Sequence, residues 1–164
     1  MGIDPGLRFT GVGIVAEEAG QCRYLRHDII MLSHRLSPAE RLAILLERLS
    51  SIISEFSPTL ISLEKAFFGK NADSAFKLGL ARGVVMAIAG KNNIRVAEYA
   101  TKAVKKGITG HGSSEKETVA LFVQRILRVD LSARFDASDA LALALFAAMN
   151  CDRENLLASR GIEV

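Results

Sequence analysis

Cysteine is scarce in this chain: Cys22 and Cys151 are the only two among 164 residues, and no CxxC pair occurs. That scarcity excludes a zinc–thiolate site and a disulfide framework. It fits a reducing compartment, so a cytoplasmic location is expected. His27, His34 and His111 show no metal-ligand spacing. No run of 18 apolar residues is present, so no membrane span is expected. The opening MGIDPGLRFTG lacks the basic stretch and apolar run of a signal peptide. Internal repeats, low-complexity stretches and a second-domain linker are missing as well. Disorder is excluded by the 49 % hydrophobic content. What remains is a chain long enough for one domain with a substantial core, expected over 1–150, followed by a polar tail over 151–164.

The first third reads as three strands in a row. Ile3 runs into the turn Asp4-Pro5-Gly6, a strand covers 10–15, a turn 17–20, and a third strand 22–30. Gly11 and Gly13 allow another backbone or a ligand to come close, or ease the twist of the sheet. A helix then starts with clear signals: Ser37 can cap, Pro38 suits the first helical position, and Glu40 completes a capping box. Leu42, Leu45, Leu46, Leu49, Ile52, Ile53 and Phe56 follow at helical spacing until Ser57-Pro58. A buried strand over 59–63 delivers Glu64. Helices are expected over 72–91, 100–106, 115–128 and 137–149, with a strand over 95–98. Ser114 and Glu117 read as a second capping box, after the loop GITGHGSS. Three strands followed by alternating helices and strands describe an α/β protein, a mixed sheet with helices on its faces.

Four carboxylates end or open separate elements: Asp4, Glu64, Asp136 and Asp139. Such positions are poor places for core residues and easy to gather in one cleft. Divalent cations are the usual reason that such a group does not repel itself. Two Mg²⁺ ions, or Mn²⁺, would balance four negative charges, and a pair about 3.5–4 Å apart stabilises both oxygens of a phosphodiester displacement. All-oxygen ligands favour these ions over zinc. Each position also has a plainer reading. Asp-Pro-Gly is ordinary turn chemistry, and Glu64 can be a surface residue at a strand end. One of Asp136 and Asp139 can cap its helix, but the i, i+3 pair shares one face, so a cap leaves the other unexplained.

The charge balance points the same way. The formal net charge is +3; taking the four carboxylates from the 18 acidic residues leaves 14 against 21 basic ones, a body near +7. An acidic pocket on a basic body suits a polyanion handled through metal ions. Candidate phosphate contacts are Lys70, Lys102, Lys105, Lys106, Lys116, Arg125, Arg128 and Arg134. For each alone, a solvated face is the plainer reading; Lys105, Lys106 and Lys116 stand out because they bracket a Gly-rich loop. His111 lies between glycines in that loop and is a further DNA contact to consider. Phe67 and Phe68 follow Glu64, either as core or with one stacking on an unpaired base.

The segments GIDPG, LEKAFFGKNADSAFKLGLARG, EYATKAVKKGITGHGSSEK and DASDALALA together resemble the bacterial Holliday-junction resolvase family RuvC, over roughly residues 1–150. The resemblance implies a ribonuclease H-like fold with a five-stranded mixed sheet flanked by helices. It implies a homodimer that binds four-way junction DNA and nicks two strands symmetrically, in recombination and repair. It implies that Asp4, Glu64, Asp136 and Asp139 are the catalytic carboxylates, that Phe67 contacts a base, and that Lys105 and Lys116 serve DNA contact and catalysis. The helix over 72–91 matches the dimer interface, and RuvA and RuvB are implied partners. Relatives usually carry a few apolar residues before GIDPG; here only Met1-Gly2 precede Ile3, so a short first strand is expected.

The mechanism that follows uses two Mg²⁺ ions, one activating water and one stabilising the leaving 3′-oxygen, to give 5′-phosphate and 3′-hydroxyl ends. Lys116 would stabilise transition-state charge. Three rivals stand beside it. Another ribonuclease H-like nuclease would also cut linear duplex. An actin-like ATPase built on the GIDPG loop would need a further phosphate loop and an adenosine pocket, and neither is found. A junction-binding module without catalysis would not need all four carboxylates.

Overall fold

The computed structural model describes residues 1–65, 72–131 and 136–159, without the side chains of Asp136 and of 152–159. Phe67, Phe68, Lys70, Arg134 and the Asp136 carboxylate thus lie outside the described residues. The described residues form a five-stranded sheet in the order β3-β2-β1-β4-β5. Its strands are β1 (Gly2–Asp4), β2 (Phe9–Glu18), β3 (Gln21–Met31), β4 (Leu60–Glu64) and β5 (Arg95–Tyr99). The first three are antiparallel neighbours, while β1–β4 and β4–β5 are parallel. Ala19 and Gly20, both at positive φ, close the β2–β3 hairpin, and Glu17 accepts from the Gly20 N–H at 2.7 Å. β1 is three residues long, but it pairs on both sides and Ile3 at its centre has no exposed surface.

Helix α1 (Pro38–Phe56) starts as its sequence says: the Ser37 hydroxyl accepts from Glu40 N–H at 3.3 Å and Glu40 accepts from Ser37 N–H at 2.8 Å. Leu45, Leu49, Ile52 and Ile53 are buried, and truncating any of them to Ala would cost about 2–5 kcal/mol. Leu46, expected in that stripe, is 46 % exposed; one position beyond Leu45 turns it about 100° off the buried face. Helix α2 (Ala72–Lys91) has the expected bounds and joins α1, β1 and β4 in one core, through Ala81, Val85, Ile88 and Ala89. Helices α3 (Thr101–Thr109), α4 (Lys116–Leu127) and α5 (Asp136–Ser159) build a second core around Val104, Val123, Leu141 and Leu145.

Strand β2 runs past its expected end at 15 to Glu18, and three features of the helices also differ from expectation. α3 runs past Lys106 to Thr109 because Ile108 is buried in the second core and Gly107 faces the Phe146 ring, 2.3 Å from where a Cβ would sit. Gly110, at φ 84°, ends it. Ser114 and Glu117 form no capping box: Ser114 Oγ bonds Thr109 Oγ1 at 2.7 Å and His111 O at 2.9 Å, and the N-cap of α4 is Glu115 without a side-chain bond. Beyond the expected end at 149, α5 continues to Ser159, with no Gly or Pro between 150 and 159 to stop it. No helix among the described residues is long and apolar enough to cross a membrane.

Candidate active site

Parallel pairing of β1 with β4 brings the carboxyl ends of both strands together, which sets Asp4 beside Glu64. The turn after Asp4 is clamped by Thr10. This residue is fully buried, and its hydroxyl accepts from Gly6 N–H at 3.2 Å and donates to Gly6 O at 2.9 Å. A Cβ at Gly6 would meet Phe9 O at 2.5 Å, so the tight turn requires glycine there. Arg41 of α1 adds an anchor on the same turn, reaching Leu7 O at 3.4 Å.

The third carboxylate arrives on α5. A Cβ on Gly2 would lie 2.0 Å from Ala140 O, and one on Gly13 would lie 2.6 Å from Leu141 N. The helix backbone therefore rests directly on β1 and β2, and its first turn reaches past the end of β1 to bring Asp139 to the cleft. Among the readings of Gly13, close backbone approach is the one realised. The helix dipole favours negative charge at this terminus.

Asp4, Glu64 and Asp139 line one cleft with Thr101, Val104, Lys105, Lys116, Val119, Ala142 and Leu143. Lys116 opens α4, which packs on α5, and its Nζ meets Asp139 Oδ2 at 2.7 Å. The hydrogen bond to Asp139 and that residue's charge, with lesser pull from Asp4 and Glu64, raise the Lys116 ammonium above its ordinary pKa. It stays charged throughout the neutral range. The Lys116 side chain is 73 % exposed, and such a pair contributes only about 0–1 kcal/mol to stability. Its interest is electrostatic: three carboxylates from three elements make a field that favours a cation where the ammonium now sits.

Hard oxygen donors in that field fit a divalent ion of the Mg²⁺ type. Among the described residues no three acidic, His or Cys groups already stand together as a ligand set. A complete set would therefore draw on Asp136 or on Lys116 giving way. Lys105 lines the cleft and donates to Ser114 O at 2.6 Å. Lys106, Lys102, Arg125, Arg128 and His111 are exposed and lie outside the cleft lining.

Two residues at the site had no role in the sequence reading. Thr101 donates its hydroxyl to Glu64 Oε1. Arg82 donates to Glu64 O at 2.6 Å and pairs with Glu98, its side chain only 11 % exposed. The signal available for Thr101 was topological: parallel β4 and β5 pair Glu64 with Tyr99, so residues just after β5 fall beside the end of β4.

A sequence profile described as crossover junction endodeoxyribonuclease RuvC matches residues 1–147. The crossover junction endodeoxyribonuclease RuvC of Bdellovibrio bacteriovorus is 40 % identical over 157 residues, covering 96 % of this chain and 94 % of its own. That of Tolumonas auensis is 41 % identical over 146 residues, covering 88 % and 83 %. The structure of Thermus thermophilus RuvC in complex with Holliday junction substrate superposes with a TM-score of 0.86 at 33 % identity, covering 93 % of each chain. The yeast mitochondrial Holliday junction resolvase, at 12 % identity and a TM-score of 0.66 over 97 % of this chain and 82 % of its own, shares the fold alone.

Proposed function

Since the chain belongs to the RuvC family of crossover junction endodeoxyribonucleases, a metal-dependent family with a ribonuclease H-like fold, and acts as a Holliday-junction resolvase, we propose how its residues divide that work. Asp4, Glu64, Asp136 and Asp139 hold two Mg²⁺ ions, with Mn²⁺ as a substitute. Bound there, the ions supply an activated water and charge stabilisation of the leaving 3′-oxygen, leaving 5′-phosphate and 3′-hydroxyl ends. The convergence of Asp4, Glu64 and Asp139 on one cleft, from β1, β4 and α5, is the observation that supports this most. Lys116 keeps a positive charge against Asp139 and serves the transition state. Lys105, which lines the cleft, and Lys106 and Lys70 hold phosphates of the DNA.

The junction is handled by a homodimer, assembled through the outer face of α2. Phe76 at 67 % exposure, Met86 at 39 %, and Gly79 and Gly83, beside which nothing lies within 4 Å, support that assignment. RuvA and RuvB are the proposed partners, in the cytoplasm. Phe67 stacks on a base near the opened junction. Phe67→Ala should leave the melting temperature nearly unchanged, whereas truncating a core Phe costs about 3–5 kcal/mol. It should slow cleavage by the loss of a contact of about 1–3 kcal/mol. A large stability loss with normal cleavage would return Phe67 to the core.

The decisive experiment incubates the protein with a synthetic four-way junction and with linear duplex, in Mg²⁺ or in EDTA. Paired symmetric nicks in the junction, requiring Mg²⁺ and absent from duplex, are expected. Equal cutting of duplex would mark a less selective nuclease, and binding without cutting a non-catalytic module.

A further inference from the structure

Glu64 is held through both its main chain and its side chain. The Arg82 guanidinium, fixed in turn by Glu98, holds the carbonyl at 2.6 Å. The Lys65 N–H continues the ladder onto Tyr99 O at 2.8 Å. Two residues after Tyr99, Thr101 opens α3 and donates its hydroxyl to Glu64 Oε1. That hydroxyl is not a helix cap, because the N-cap position belongs to Ala100, which has no side-chain bond to give.

We propose that Thr101 is a positioning residue for Glu64: it engages one carboxylate oxygen, fixes the side-chain rotamer, and leaves the other oxygen to a cation. A glutamate has three rotatable bonds, and a ligand that must be ordered as the metal arrives binds it more weakly. Hydrogen-bonded partners of metal-ligating carboxylates typically carry 10–100-fold in metal affinity or activity. Thr101 lines the cleft beside Glu64 and itself offers only a neutral hydroxyl. The inference rests on the reading of Glu64 as a metal ligand.

The test uses the full chain and Mn²⁺ as the probe. Calorimetric Mn²⁺ titration is combined with junction binding in EDTA and with steady-state cleavage. Thr101→Val keeps the shape and removes the hydroxyl; Thr101→Ser keeps the hydroxyl. For Thr101→Val, Mn²⁺ affinity and kcat should each fall by about tenfold, with KM, junction binding in EDTA and circular dichroism unchanged. Thr101→Ser should stand close to wild type. In a Glu64→Gln background, adding Thr101→Val should leave Mn²⁺ affinity where it was, since the partner is already gone. Wild-type Mn²⁺ affinity and kcat in Thr101→Val would overturn the proposal, and so would weakened junction binding in EDTA, which would make Thr101 a direct DNA contact. A wild type that cuts no junction sinks the proposed function; a wild type that cuts beside an indifferent Thr101→Val sinks only the role of Thr101.

Discussion

Helices α2 and α5 are both rich in alanine and large aliphatics with no clean polar face, but only α2 carries glycines, and the two meet the molecule in opposite ways. Along α5 the space is made by the sheet: Gly2 and Gly13 lie under Ala140 and Leu141 so closely that no Cβ fits. Along α2 the glycines are on the helix, and Gly79, Gly83 and Gly90 face open space. A glycine facing a backbone within the chain fixes where a helix sits. Glycines turned outward leave a flat face that a second copy can approach. The first arrangement sets Asp139 in place, and the second is the proposed dimer surface.

The sharpest break of this contrast lies at the front of α5. Asp139→Asn, like Asp4→Asn or Glu64→Gln, should remove Mg²⁺-dependent cleavage, a loss of several kcal/mol in transition-state stabilisation, while junction binding in EDTA survives. A variant cutting near the wild-type rate would remove its residue from the metal site. Next comes the seat of the helix. Gly13→Ala should lower stability by about 1–3 kcal/mol, the cost of overpacking, or more because backbone is what the methyl meets. Gly83→Ala should be neutral or gain up to about 1 kcal/mol in helix propensity. Equal denaturation midpoints for the two would refute the contrast.

Gly83→Glu tests the outer face of α2 without touching the core. Light scattering should show a monomer where the wild type is a dimer at micromolar concentration, with the circular dichroism spectrum retained. A folded, monomeric wild type would remove the dimer. The smallest effect lies away from both helices. Ser37→Ala at the start of α1 should cost about 1 kcal/mol, read by urea denaturation. The hydrogen bonds with Ser37 lower the pKa of Glu40. That stabilisation is therefore present above the ordinary glutamate pKa and fades as pH falls through the lowered value. The Ser37→Ala difference should shrink in acid; a difference independent of pH would separate the cap from Glu40.

Much of this was legible because the signals were local. Ser37, Pro38 and Glu40 fix the start of α1 within one turn of chain, and the apolar run before Glu64 marks β4 in the same way. Where a contact from elsewhere competed, the local reading failed. Ser114 looks like a cap, but Thr109 and His111 engage its hydroxyl. Gly107 looks like the start of a loop, but the Phe146 ring and the burial of Ile108 keep it helical. Leu46 fits the apolar spacing and still faces solvent, because the stripe needed by the sheet is narrower than the run of leucines.

By itself the sequence determined which residues carry charge into the site and which elements carry those residues. Strand ends and helix starts follow from residues within a few positions of one another, and the turn chemistry of Asp4-Pro5-Gly6 acts at that range. Tertiary structure alone decided who stands beside whom. Thr101 reaches Glu64 across 37 positions, Lys116 reaches Asp139 across 23, and Arg82 reaches Glu64 across 18. Those pairings follow from parallel strand order and from a helix seated on two glycines. Both arise from burying apolar surface over the whole sheet, a force that is not directional and leaves no local mark on the residues it brings together.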